Sequence, residues 1–343
     1  MAKPNPNSRE NLRRQVREFA KTNSETTLTK EELSALIREV GLGHIEEKLM
    51  QAAQPSLRLH MHPVDEAAVP LGGTKFGGAP DLPPGFEWPL WQGYPESDRP
   101  RYPPGEFATE DGAQEFLAQL RLEDLAAYDL GGALPASGML YFFCATWKRA
   151  LGYDETDRDC WKVFYYNGDL SKLTRRLPPS PGLSQDGLVY GAVEDALLTC
   201  LRIEFQPEVL LPDWNGPEAY ELLGLNVDEP GIFMGKEMQL YAGLFEEWDN
   251  RDPRKFSDVD TPIHRLLGYP QIVQYGRIVD AGFLGCDQWR LLLQLDTEDM
   301  TGARWPDFVS VHWQGGGRGY FYIPAQALAE QNFDPVWVDM QCS

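Results

Sequence analysis

The sequence predicts an α+β protein, a β-rich body built from two related halves with an N-terminal helical extension. Three observations predict it. Thirty-two glycines and 27 prolines in 343 residues call for many turns and long connections, which suits strands better than a helical bundle. Apolar runs with strand character recur, among them 139–146 (MLYFFCAT), 161–166 (WKVFYY) and 289–295 (WRLLLQL). Helical spacing opens the chain. The expected division is 1–54 for the extension and 55–343 for the body, with an internal duplication over about 55–206 and 207–343.

The extension is read from the N-terminus. Residues 9–21 have Leu12, Val16, Phe19 and Ala20 at helical spacing, with Arg13, Arg14 and Arg17 on a solvated face. Thr29-Lys30-Glu31-Glu32 fits a capping box, in which a hydroxyl and a carboxylate satisfy free N–H groups of the first turn. Leu33, Leu36, Ile37 and Val40 then form an apolar face. Gly41-Leu42-Gly43 breaks this helix and 45–53 resumes one.

The body begins with a strand at 57–62 (LRLHMH). Residues 71–89, LGGTKFGGAPDLPPGFEWP, follow as an ordered irregular loop. Its five glycines and four prolines disfavour helix and central strand, and Phe76, Phe86 and Trp88 give it apolar anchors. Residues 90–115 read as a surface connection, and 115–125 as a strand running into a short helix at Glu123-Asp124. Asn167-Gly168 ends the 161–166 strand with a turn signal, and 177–187 is a loop. Further strands are expected at 199–205, 309–313, 320–323 and 336–340. Helices are expected at 217–223 and 234–248, with a short helix or turn at 261–268 led by Pro262.

The duplication rests on a weak repeat. Residues 116–125 (FLAQLRLEDL) align with 291–300 (LLLQLDTEDM), pairing Gln119 with Gln294. A Gly-x-Pro precedes each copy (Gly78-Ala79-Pro80, Gly268-Tyr269-Pro270) and an aromatic strand follows each, led by Gly138 and by Gly319.

Charge narrows the function classes. The formal net charge is −21; residues 1–53 carry +1 and the remainder −22. Such a surface repels nucleic acid phosphates and anionic membranes, and suits a basic protein partner through electrostatic steering. Five cysteines without a close pair fit reduced thiols, and the expected compartment is the cytoplasm. The first nineteen residues lack the apolar stretch of a secretory signal.

No motif carries catalysis. His60 and His62 lie two apart in a strand, share one face, and could form two legs of a metal site; the competing reading is the polar face of an edge strand. The third ligand would come from His264, His312 or an Asp. Asp154, Glu155, Asp157 and Asp159 lack the spacing of a calcium loop and read as a solvated loop. Gly72 and Gly77 have phosphate-loop spacing, but Gly78 and Ala79 stand where Lys and Ser/Thr must follow. Cys144 and Cys200 lie in apolar strands, where a thiol is inert. Gln119 and Gln294, polar within apolar runs, are read as amides that hold loop backbone.

Taken in order, these residues resemble the YwqG-like proteins, a bacterial family also called DUF1963. The resemblance rests on Lys75-Phe76-Gly77-Gly78-Ala79-Pro80 with Leu82-Pro83 and Trp88-Pro89, on Phe116-Leu117-Ala118-Gln119-Leu120, and on Gly138-Met139-Leu140-Tyr141-Phe142-Phe143. It continues through His264-Arg265-Leu266-Leu267-Gly268-Tyr269-Pro270 with Gln274, then Leu291 to Asp296 and Gly319-Tyr320-Phe321. It runs from about residue 55 to the end of the sequence. It implies a single cytoplasmic α+β body with a two-part repeat, and no catalytic assignment.

The leading expectation is a non-enzymatic acidic protein-binding module of immunity or toxin-neutralising type, without a cofactor. The alternative is a hydrolase or small-molecule-binding protein with a cleft between the halves, lined by Lys75, Trp88, His264 and Gln274.

Overall fold

The described chain opens with two short helices that pack outside one large antiparallel sheet. The computed structural model describes residues 29–91, 112–146, 152, 155–179, 197–225, 235–251, 262–274, 288–297, 313 and 317–342. The helix expected over 9–21 and most of the strand expected over 309–313 lie outside the described residues. Strands are β1 (Gln54–Pro63), β2 (Lys75–Phe76), β3 (Asp81–Leu82), β4 (Leu90–Trp91), β5 (Gly112–Ala113), β6 (Glu115–Arg121) and β7 (Met139–Cys144). They continue as β8 (Trp161–Tyr166), β9 (Thr174–Arg175), β10 (Leu201–Leu210), β11 (His264–Leu266), β12 (Trp289–Asp296), β13 (Arg318–Pro324) and β14 (Trp337–Gln341). Helices are α1 (Lys30–Glu39), α2 (Glu46–Ala52), α3 (Leu122–Leu125), α4 (Pro217–Leu223), α5 (Lys236–Arg251) and α6 (Ala325–Ala329).

Ten strands make one sheet in the order β14-β13-β12-β11-β1-β10-β2-β6-β7-β8. Every pairing is antiparallel. The sheet curls into a nearly closed barrel whose two end strands meet through side chains. The Trp161 and Trp337 rings stand edge to face at 4.9 Å, and Trp161 Nε1 donates to Val336 O at 2.9 Å. Leu57, Leu59, Leu140, Phe142, Leu293 and Phe321 fill the interior, where Phe142 and Phe321 meet at 5.4 Å. Alternate residues of β7 (Met139, Tyr141, Phe143) face outward and are covered by Leu82, Trp88 and Leu173.

β1 and β10 form the centre, in register from Gln54 opposite Leu210 to Pro63 opposite Leu201. β10 runs unbroken through 206–207, so the expected division between halves falls inside one strand. It also crosses over: β1 pairs with β11, and β10 with β2.

The Thr29 capping box forms as expected, with Thr29 Oγ1 accepting from Glu32 N at 3.2 Å and Glu32 Oε2 accepting from Thr29 N at 2.8 Å. Leu33, Leu36 and Ile37 of α1 bury against α2, α4 and α5 in a cluster outside the barrel that also takes Leu49, Leu211, Tyr220 and Tyr241. Two local expectations are corrected. Within 261–268 the structure has strand β11, because His264 to Leu266 are taken between β1 and β12 and tertiary pairing overrides the Pro262 signal. Asp157, expected in a solvated loop, is buried and accepts the Gly152 N–H at 3.1 Å.

Candidate functional site

The proline-glycine loop is pinned by an ionic lattice. Gly77 takes φ +62°, and a Cβ there would lie 2.3 Å from Thr199 O, so the loop can pass β10 only with glycine. Lys75, completely buried, donates from Nζ to Glu66 Oε1 at 2.8 Å and to Ala79 O. Arg175 donates to both Asp81 oxygens at 2.8 and 3.2 Å, and to Glu66 O and Val69 O. Burial by itself raises the Asp81 pKa. Hydrogen bonds from Arg175 and Gln119, the Lys75 charge and the Gly72 N–H outweigh that and hold it below the ordinary value.

Gln119 stands at the centre of this lattice. Its Oε1 accepts the Asp81 N–H at 2.8 Å, and its Nε2 donates to Gly73 O and to Asp81 Oδ2, each at 2.8 Å. Tyr141, opposite Gln119 in β7, donates to Asp81 O at 2.6 Å. Gln294 is bonded in the same way. Its Oε1 accepts the Gln271 N–H at 2.9 Å, its Nε2 donates to Ile263 O at 2.8 Å, and Tyr320 opposite it donates to Gln271 O at 2.6 Å. Leu122 N donates to Gly138 O at 2.9 Å, and Thr297 N to Gly317 O at 3.1 Å.

The other residues singled out in the sequence are dispersed. His264 is buried, and its Nδ1 accepts the Asp296 N–H at 3.1 Å. Gln274 donates from Nε2 to Cys342 O at 2.7 Å. His60 and His62 sit in the centre of the sheet, not on an edge. His60 Nε2 lies 2.6 Å from Gln206 Oε1, and His62 Nε2 3.5 Å from Glu204 Oε2. Among the described residues no group of three or more His, Cys, Asp or Glu side chains is placed to hold a metal ion. Burial pushes the Cys200 thiol up to about 11 and Cys144 well above its ordinary value, so both stay protonated and poorly nucleophilic near neutral pH.

Trp88 lies elsewhere, beside a cavity of about 20 Å³ that it lines with Gln114, Glu115, Phe116, Pro178 and Leu198. The Trp88 indole donates to Gln114 O at 2.8 Å, and Gln114 Nε2 donates to Asp159 O at 2.8 Å. Gln114 Oε1 and Glu115 Oε2 are buried there without a hydrogen-bond partner. Part of Glu115 reaches solvent while that oxygen does not. Burial pushes its carboxyl up to about 8, against a smaller downward pull from the Thr146 N–H, so it is mostly neutral at pH 7. The sequence reading passed over this pair. A Gln-Glu dipeptide at the start of a strand has no distinguishing spacing, and only the absence of partners in three dimensions marks it.

The family model described as "Domain of unknown function (DUF1963)" matches residues 74–342, and the chain belongs to that family. The match begins after β1, although β1 lies at the centre of the sheet. Among curated proteins, none matches the chain. No helix among the described residues is long and apolar enough to cross a membrane.

Proposed function

We propose that this DUF1963 chain is a non-enzymatic binding protein whose acidic surface takes a basic protein partner, in the manner of an immunity or toxin-neutralising protein. One observation carries this reading: the net charge of −21, which ion pairs such as Lys75–Glu66 and Arg265–Glu208 leave in place because each withdraws one charge of either sign. Complementary charge steers a basic partner and fixes its register. The groups that could have served chemistry, Lys75, Asp81, Gln119, His264 and Gln294, instead hold backbone and one another. The test is native purification at about 50 mM salt, where the Debye length exceeds 10 Å, followed by mass spectrometry and rebinding of the purified pair across a salt series. A stoichiometric basic protein released by salt is expected. An isolated chain with no retained protein at that salt defeats the reading.

The same reading takes the body as two related halves behind a helical extension. The matching roles of Gln119 and Gln294, Tyr141 and Tyr320, and Gly78 and Gly268 support it. A second reading, small-molecule binding, is favoured by the cavity beside Trp88. Its described lining lies wholly within residues 88–198 and not between the halves.

A further inference from the structure

We propose that the cavity beside Trp88 receives a primary ammonium group, with Glu115 Oε2 and Gln114 Oε1 accepting its hydrogens and the indole lying along its alkyl stem. The argument starts from what the cavity lacks. Its two unpartnered polar atoms are both oxygens, and Gln114 is only 3% exposed. Buried oxygens of this kind are costly until a donor arrives. An ammonium supplies three donors and no acceptor, which matches the wall once Glu115 gives up its proton and both oxygens accept. The other walls, Trp88, Phe116, Pro178, Leu197 and Leu198, are apolar and suit a methylene stem. A cavity of about 20 Å³ holds about one water-sized group, which a compact ammonium head matches.

Charge completes the match. Burial and the Thr146 N–H account for the Glu115 shift, and no neighbouring cation contributes to it. A cation in the cavity draws Glu115 into its ionised form, giving a charge-assisted hydrogen bond. The group has two sources, a lysine side chain of a protein partner or a free amine. The first rests on the reading of an acidic protein with a basic partner; the second does not.

The experiment uses the full chain with carboxyl-labelled glutamate. Glu115 is titrated by NMR alone, with n-butylammonium, and with N-acetyl-lysine-N-methylamide; the capped norleucine analogue is the uncharged control. The Glu115 midpoint, near 8 in the free protein, is expected to fall by about 1 pH unit or more with either amine and not with norleucine. Glu115→Gln, which keeps the shape, is expected to weaken both amines by about tenfold or more. Gln114→Leu provides a second variant with the carboxyl intact, and weaker binding in it is also expected. A midpoint unmoved by either amine overturns the proposal and leaves a resident water in the cavity. Amine binding unchanged in Glu115→Gln overturns it equally. Butylammonium without the capped lysine keeps the site and makes its ligand a free amine. A basic partner held equally by wild type and Glu115→Gln overturns the lysine source for this pocket and leaves the acidic-surface reading standing. Butylammonium binding without any protein partner does the reverse.

Discussion

Gln119 holds Asp81 from two directions, accepting its backbone N–H at 2.8 Å and donating to its carboxylate at 2.8 Å. The side chain is fully buried in a strand, where an unpaired amide would be costly, and its second donor bond reaches Gly73 O. One amide thereby ties both ends of the 73–81 loop to β6. Gln119→Leu keeps the volume and orphans the Asp81 N–H and the Gly73 carbonyl. Each such buried group costs about 1–3 kcal/mol, so a loss of about 2–5 kcal/mol is expected in urea unfolding. Gln294→Leu orphans the Gln271 N–H and the Ile263 carbonyl and should cost a similar amount. A loss well under 1 kcal/mol at either position would contradict the role assigned to both.

The seam of the barrel gives a second prediction. Trp337 stands against Trp161 and donates from Nε1 to Gly152 O at 2.9 Å. Gly152 has φ +76°, and a Cβ there would lie 1.9 Å from Val338 O. Gly152→Ala therefore has to push β14 away from the residues beside β8. Trp337→Ala removes the largest buried side chain at the seam and should cost about 3–5 kcal/mol. Gly152→Ala deletes no contact, yet it should weaken the near-ultraviolet circular dichroism of the seam tryptophans and lower the thermal midpoint. An unchanged spectrum and midpoint would show that the seam yields freely.

Legibility in the sequence followed the range of the interactions. The α1 capping box was readable because its bonds span three residues. β6, β7 and β12 were readable from apolar runs buried on both faces, and β8 from an aromatic run with Trp161 and Val163 buried on one face. The two glutamines were readable as structural, since a polar residue inside an apolar strand needs partners. β11 was not, because three residues carry no period and their pairing with Leu57 to Leu59 lies some two hundred residues away. The central place of β1 was hidden for the same reason, which is why His60 and His62 looked like edge residues. The cavity beside Trp88 was the least legible, since Pro178 and Leu198 join Gln114 only through the fold.

Lys75 supplies a third prediction. Its ammonium is buried against Glu66 and the Ala79 carbonyl, and Glu66 Oε1 also accepts the Ala79 N–H at 2.7 Å. Lys75→Met keeps the stem and removes the charge. Breaking one side of such a pair costs about 3–5 kcal/mol when both charges are deeply buried; Glu66 is 29% exposed, so about 2–3 kcal/mol is expected. Partner affinity of the folded fraction should not change, because the ammonium does not reach the surface. A selective loss of binding with stability intact would instead assign Lys75 to a ligand.

Opposite pKa shifts at Glu115 and Asp81 set the pH profile of stability. Glu115 rises from 4.5 to about 8 on folding. Between those values the native state binds more protons than the unfolded chain, so its contribution falls as pH rises, by at most about 1.4 kcal/mol per pH unit. Asp213 and Glu218 are raised in the same sense, first by burial. Asp81 is depressed below 3.8, so its contribution is present above that value and lost as pH falls through its lower native pKa; Glu208 acts the same way. Stability should thus decline on both sides of a mildly acidic optimum. Glu115→Gln removes one component of the alkaline decline only. Urea unfolding of wild type and Glu115→Gln at pH 5, 6, 7 and 8 should show the variant gaining relative to wild type at each step, with no further gain above about pH 8. Parallel profiles would mean that Glu115 ionises freely in the native protein, and that the oxygen facing the cavity is solvated.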